Sequence, residues 1–193
     1  MFPVNVPNVL TVLRILLVPV LVVALLDATP SGDTLAAVVF AVASLTDLLD
    51  GYLARTRNAI TTFGKLMDPI ADKLLVVAAL VALVSLGRLA AWVAMVIIAR
   101  EFAVTAMRMA AGAQGVVIAA SLFGKAKTVL QIAMVLALIA AGDTRPLWLD
   151  LFVDATVAVT VISGVDYFLG LRRRLARRER EADADRTPLD GAA

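Results

Sequence analysis

Apolar residues run along this chain in stretches about as long as a membrane crossing, and polar residues collect between them. The stretches cover roughly residues 9–27, 34–54, 64–86, 89–109, 121–141 and 150–170. Each is close to the ~20 residues that a helix needs to cross the hydrocarbon of a bilayer. Turn chemistry separates them: "DATPSGD" after the first, "RTRNAITT" after the second, "LGRLA" between the third and fourth, "AAGAQG" before the fifth and "GDTRPLWLD" before the sixth. The pattern predicts an all-α fold, an integral membrane bundle of six transmembrane helices. The first stretch has no basic region ahead of it and no small-residue cleavage site after Leu26, so it is expected to stay as a helix.

Charge gives this bundle an orientation. Arg55, Arg57, Lys65, Lys125, Lys127 and the run "RRRLARR" belong to one set of connections. The other set holds only Arg88 and Arg145, beside Asp27, Asp33, Asp143 and Asp150. The positive-inside rule puts the first set in the cytoplasm, with both termini there, and makes the chain a multi-pass protein of the cytoplasmic membrane. Tyr167 and Phe168 fall near the cytoplasmic end of the last stretch and Trp92 and Trp148 near outer ends, where amphipathic rings are enriched. The chain divides into a transmembrane domain over 1–171 and a tail over 172–193. The tail is basic and then poor in apolar residues, so disorder is expected beyond about residue 180. Its basic part suits anionic headgroups, or serves only as a topology signal.

Composition narrows the chemistry. Hydrophobic residues make up 61% of the 193, and there is no cysteine and no histidine. Thiolate chemistry is excluded, as are the commonest general base and the commonest transition-metal ligand. Catalysis has to rest on Asp, Glu, Lys, Arg, Tyr, Ser or Thr. No nucleic-acid partner is expected.

Against that background the segment "TDLLDGYLARTRNAITTFGKLMDPIADK" stands out. Asp47 and Asp50 lie three apart on the second stretch, and Asp68 and Asp72 four apart on the third, so each pair shares a helix face. The short connection between the two stretches makes antiparallel packing the expectation, with both acidic faces meeting near the cytoplasmic side. Asp47 precedes Arg55 by eight residues, or about 12 Å of helix at ~1.5 Å per residue, which sets the carboxylates at or just below headgroup depth. Pro69, inside the second pair, removes a backbone hydrogen bond and is expected to bend its helix. Four neighbouring carboxylates raise one another's proton affinity, and each intramembrane charge costs at least ~2.5 kcal/mol. Protonation or bound cations can relieve this. An all-oxygen cluster suits a hard divalent ion, Mg²⁺ or Mn²⁺, and two such ions would neutralise four carboxylates and could clamp a diphosphate. A structural salt network with Arg55, Arg57, Lys65 and Lys73 is the plainer alternative.

The same segment carries a family pattern, D-x2-D-G-x2-A-R-x8-G-x3-D-x3-D, from Asp47 to Asp72. It resembles, without departure, the signature of the CDP-alcohol phosphotransferases, and the resemblance extends over the six-stretch body. It implies an integral membrane enzyme that cleaves a CDP-linked donor, passes its phosphoryl-alcohol part to an acceptor hydroxyl and releases CMP. By position it implies Asp47, Asp50 and Asp68 as metal ligands. It implies Asp72 as both metal neighbour and the base that takes the acceptor proton. Gly51, Ala54 and Gly64 become small residues that admit the cytidine nucleotide, and Arg55 a phosphate or nucleotide contact. Homodimers are implied too.

Three further segments, "NVPNVLTVLRILLVPVL", "IIAREFAVTAMR" and "AASLFGKAKTVLQ", resemble the branch that uses CDP-diacylglycerol as donor and sn-glycerol 3-phosphate as acceptor. A phosphorylated acceptor fits the cations. Arg100 and Arg108 lie eight apart on the fourth stretch, Lys125 and Lys127 enter the fifth, and Gln131 lies one turn beyond Lys127. These cations could converge on a phosphate dianion. A pair with Glu101 or an aspartate is the rival for Arg100, and the positive-inside signal the rival for both lysines. Asn8 and Arg14 face either the nucleotide or a neighbouring helix. Inositol phosphate remains an alternative acceptor. From another class, a cation transporter would use the aspartates to bind its ion, but such proteins favour paired repeats, and the chain has none.

Overall fold

The computed structural model describes the backbone over 6–53, 62–113 and 122–186, and side chains over 12–46, 73–113 and 122–177. Six helices follow one another: α1 Val6–Leu26, α2 Pro30–Leu53, α3 Thr62–Ser85, α4 Ala91–Ala113, α5 Leu122–Ala141 and α6 Leu147–Arg186. Among the described residues there is no strand. The helices coincide with the six apolar stretches to within a few residues, except at the end of α6. There the helix continues through the expected division at 171/172 and past residue 180. The tail is too polar to build a core, but it is rich in Arg, Glu and Ala, which are good helix formers. A helix already nucleated is extended at little cost.

The connections at one end are built by local chemistry. Thr29 caps α2: its Oγ1 accepts the Gly32 amide at 3.0 Å, and Pro30 takes the first helical position. A Cβ at Gly32 would stand 2.5 Å from the Ala24 carbonyl oxygen, so the close turn from α1 into α2 requires glycine there. α3 closes in a Schellman motif, with Gly87 at φ +70° and the Arg88 amide donating to the Leu83 carbonyl at 2.9 Å. Arg88 then joins all three connections at this end. Its Nη1 donates to Asp33 at 2.6 Å and its Nε to Asp143 at 3.1 Å, and its carbonyl accepts from Arg145.

Packing divides the bundle lengthwise. Near the Arg88 end the interior is apolar, built from Leu21, Leu25, Phe40, Leu80, Leu83, Ile97, Leu138 and Leu149 among others. Toward the other end the buried residues turn polar: Arg14, Ser44, Glu101, Lys127, Gln131 and Ser163. The outer surface is the reverse, with Leu16, Val23, Met95 and Leu151 each 60–69% exposed. An apolar outside around a partly charged inside is the opposite of what water selects.

Direct packing of α2 on α3 is not the main arrangement among the described residues. α1 packs on both, and α5 also meets both. The connection over 54–61 can reach about 26 Å if extended, well beyond the ~8–10 Å between packed helices, so it does not oblige its helices to be neighbours. Among the described residues two helices, Leu122–Ala141 and the Leu147–Arg177 part of α6, are long and apolar enough by themselves to cross a membrane. α4 fails that test because Arg100, Glu101 and Arg108 interrupt it.

Candidate active site

The polar half of the bundle encloses a cavity of about 630 Å³, lined from all six helices. Among the described residues six cationic side chains line it, Arg14, Lys73, Arg100, Arg108, Lys125 and Lys127, against the one carboxylate of Glu101. Arg14 and Lys127 are almost wholly buried, whereas Arg108 and Lys125 are exposed and stand at the rim. Such a concentration of positive charge in a partly dry space suits an anion.

Glu101 organises the centre. Its Oε2 lies 3.2 Å from Lys73 Nζ, and its Oε1 accepts from Arg100 Nη1 at 2.9 Å and from Lys127 Nζ. Its side chain is 7% exposed, so the charge is tolerable only because partners surround it. Arg100 extends the network to α6, where Nη2 donates to Ser163 Oγ at 2.8 Å and Ser163 Oγ donates to the Thr160 carbonyl at 3.0 Å. The adjacent Gly164 gives the arginine stem its room: a Cβ there would lie 3.2 Å from Arg100 Cγ. At the rim the Arg108 guanidinium sits 5.7 Å from the centre of the Tyr167 ring, within cation–π range. Arg100 Nε, Gln131 Nε2 and Tyr167 OH are buried without a hydrogen-bond partner among the described residues. An unsatisfied buried donor costs about 1–3 kcal/mol, so these groups are ones a ligand or water can satisfy.

The four cations expected at an acceptor phosphate, Arg100, Arg108, Lys125 and Lys127, all line this one cavity. Lys127 is not a surface topology residue; it is buried on α5 against Glu101. Lys73 and the central role of Glu101 were not read as part of this set. From the sequence Lys73 enters only the alternative salt network with the aspartates, and Glu101 only as a rival partner for Arg100. The spacing of Lys127 and Gln131, one turn apart, was the available signal for a shared polar face. Tyr167 was read as an interfacial ring beside Phe168. It is buried at 8% exposure and turned to the cavity, while Phe168 is 52% exposed.

Asp47, Asp50 and Gly51 lie on α2, and Gly64, Asp68 and Asp72 on α3, so the three- and four-residue spacings are helical register. Their side chains, and that of Asn8 on α1, lie outside the described residues, as do Ala54 and Arg55 altogether. Among the described residues no three metal-ligating side chains come together. Lys73, the residue after Asp72 on α3, lines the cavity.

An acidic signature on two helices that also line a cationic cavity suits a group transferase for phosphorylated substrates. The model of the CDP-alcohol phosphatidyltransferase family matches residues 4–165, and the chain belongs to that family. It is thereby a transferase of phospholipid biosynthesis. Among its relatives is the CDP-diacylglycerol–glycerol-3-phosphate 3-phosphatidyltransferase of Bacillus subtilis (strain 168), 41% identical over 180 residues, covering 85% of this chain and 93% of the relative. A probable phosphatidylglycerophosphate synthase of Mycobacterium tuberculosis (strain H37Rv) is 42% identical over 168 residues, covering 84% and 79%. The Rickettsia bellii (strain RML369-C) protein, with the same name as the Bacillus one, is 34% identical over 174 residues, covering 88% and 96%.

Proposed function

We propose that this protein transfers the phosphatidyl group of CDP-diacylglycerol to sn-glycerol 3-phosphate, giving phosphatidylglycerophosphate and CMP. The observation that carries the reading is the cationic cavity centred on Arg100 and Lys127, next to the helix that bears Asp68 and Asp72. The names of the relatives favour glycerol 3-phosphate over inositol phosphate as acceptor.

In this mechanism Arg100 and Lys127 hold the acceptor phosphate, with Arg108 and Lys125 attracting it at the rim. Asp72 takes the proton from the acceptor hydroxyl. That oxygen forms a bond to the donor's lipid-side phosphorus as the bond to the CMP oxygen breaks, and CMP leaves with the electron pair. Gly51, Ala54 and Gly64 let the cytidine nucleotide approach, while Arg55 and Asn8 contact it. The donor set of Asp47, Asp50, Asp68 and Asp72 on two regular helices fits two hard cations, Mg²⁺ or Mn²⁺, which when bound supply charge neutralisation at the diphosphate.

The apolar exterior and charged interior support insertion in the cytoplasmic membrane as six spans, with both termini and the active site facing the cytoplasm. Trp92 and Trp148, both more than half exposed at the Arg88 end, suit the outer interface. Residues 1–171 act as the catalytic unit, 172–193 as a tail, and the protein works as a homodimer.

Lys127→Met tests the cavity assignment. It should raise KM for glycerol 3-phosphate by about tenfold or more, the loss of one charge-assisted contact, with little change in KM for CDP-diacylglycerol. Equal effects on both substrates would reject it.

A further inference from the structure

The transfer mechanism leaves Glu101 without a part, although three of the six cavity cations pair with it. Through this one carboxylate, Lys73 of α3, Arg100 of α4 and Lys127 of α5 meet, and Arg100 passes the connection to Ser163 of α6. We propose that Glu101 is a positioning residue: it sets these three cations in the geometry that receives the acceptor phosphate and ties them to α3 beside Asp72. This inference rests on the reading of the cavity as the acceptor site.

Charge and donor counting support it. Three cations share the one carboxylate, which does not neutralise Arg100 and Lys127 together, so the cluster keeps positive charge for an anion. A neutral alcohol such as serine or inositol would leave that charge without a counter-ion. Without Glu101 the three cations repel one another in a site of low dielectric and have no reason to converge. With it, Arg100 commits two of its five N–H donors and Lys127 one of its three, so both keep donors for a phosphate. Arg100 Nε, buried and without a partner among the described residues, is one of those. The carboxylate also couples the cation set to α3, the helix on which Lys73 follows Asp72 in sequence.

The test compares Glu101→Gln and Glu101→Asp with wild type, following CMP release and varying glycerol 3-phosphate and CDP-diacylglycerol separately. The expected result for Glu101→Gln is an acceptor KM raised by about ten- to a hundredfold, the scale of a lost charge-assisted network, with the donor KM within about twofold of wild type. Glu101→Asp keeps the charge at shorter reach and should recover part of the acceptor KM. An acceptor KM that is unchanged in Glu101→Gln, or lower because the carboxylate merely competed with phosphate, would overturn the proposal. So would a parallel rise in both KM values, which marks a general structural role. If Glu101→Gln does not fold, Glu101→Asp decides by the same ratio. A wild-type protein that does not use glycerol 3-phosphate defeats the functional reading before any variant is compared; an unchanged KM in Glu101→Gln defeats only this inference.

Discussion

Replacing Arg88 with methionine should loosen the end of the bundle farthest from the chemistry. Arg88 is 5% exposed and holds Asp33, whose side chain is 16% exposed, at 2.6 Å. A hydrogen bond between charged groups at this burial contributes about 1.5–3 kcal/mol. The second bond, at 3.1 Å, goes to Asp143, which is 90% exposed and therefore adds a small fraction of that. Methionine fills most of the space but leaves Asp33 without its main partner. Breaking a fully buried pair costs about 3–5 kcal/mol; because both carboxylates still reach water, about 2–3 kcal/mol is the expected loss. Thermal unfolding in detergent micelles, followed by circular dichroism, would measure it. Asp143→Asn should cost far less, and adding Asp33→Asn to Arg88→Met should recover part of the loss. The hydrogen bond to Asp33, more than that to Asp143, holds the Arg88 guanidinium above its ordinary pKa, against the opposing effect of burial. A base whose pKa is raised on folding gives stability that is full below the unfolded value and lost only as pH rises through the folded one. Between roughly pH 7 and 10 the Arg88 contribution should therefore stay constant. An Arg88→Met variant within about 0.5 kcal/mol of wild type, the range of ordinary surface changes, would refute the reasoning. So would an Asp143→Asn variant that is equally damaged.

Two further outcomes are expected. Asp68→Asn should lower metal-dependent CMP release by about a hundredfold or more and weaken Mn²⁺ binding, read by electron paramagnetic resonance, while the protein remains inserted; near wild-type turnover would remove Asp68 from the metal site. Gly164→Val should raise the acceptor KM severalfold by pushing on Arg100, whereas Gly170→Val, where a Cβ would meet nothing within 4 Å, should not. Equal behaviour of the two variants would mean that Arg100 does not depend on the space at Gly164.

Helix positions were legible because bilayer-length apolar runs and glycine or proline breaks are local signals. Gly87 shows this well: its left-handed φ of +70° ends α3 where the "LGRLA" break predicts an end. The course of α6 beyond residue 171 was not legible from hydropathy, since a solvated helix is set by propensity and by continuity with the helix before it. The aspartate pairs were visible through their spacing within one segment. The cation cluster was visible only in part. Arg100 and Lys127 are 27 residues apart in sequence and are joined by Glu101, which reads as a neighbour of Arg100 rather than as a partner of Lys127. Lys73 likewise follows an aspartate in sequence but reaches Glu101 on another helix. Partner choice across helices depends on their rotation about their own axes, and a single sequence does not encode that rotation in any local pattern. Tyr167 was misplaced for the same reason: the face it occupies, toward the cavity rather than the lipid, is a property of how α6 packs on α4 and α5.

The most direct measurement is CMP release from CDP-diacylglycerol by the purified protein in detergent with Mg²⁺ or Mn²⁺. Glycerol 3-phosphate, inositol phosphate, inositol, serine and phosphatidylglycerol would be supplied in parallel. Turnover with glycerol 3-phosphate, and none with the neutral alcohols, is the result expected of a cavity carrying this charge. Turnover with serine or inositol, or none with any acceptor in folded protein, would contradict the assignment of Arg100 and Lys127 to the acceptor phosphate.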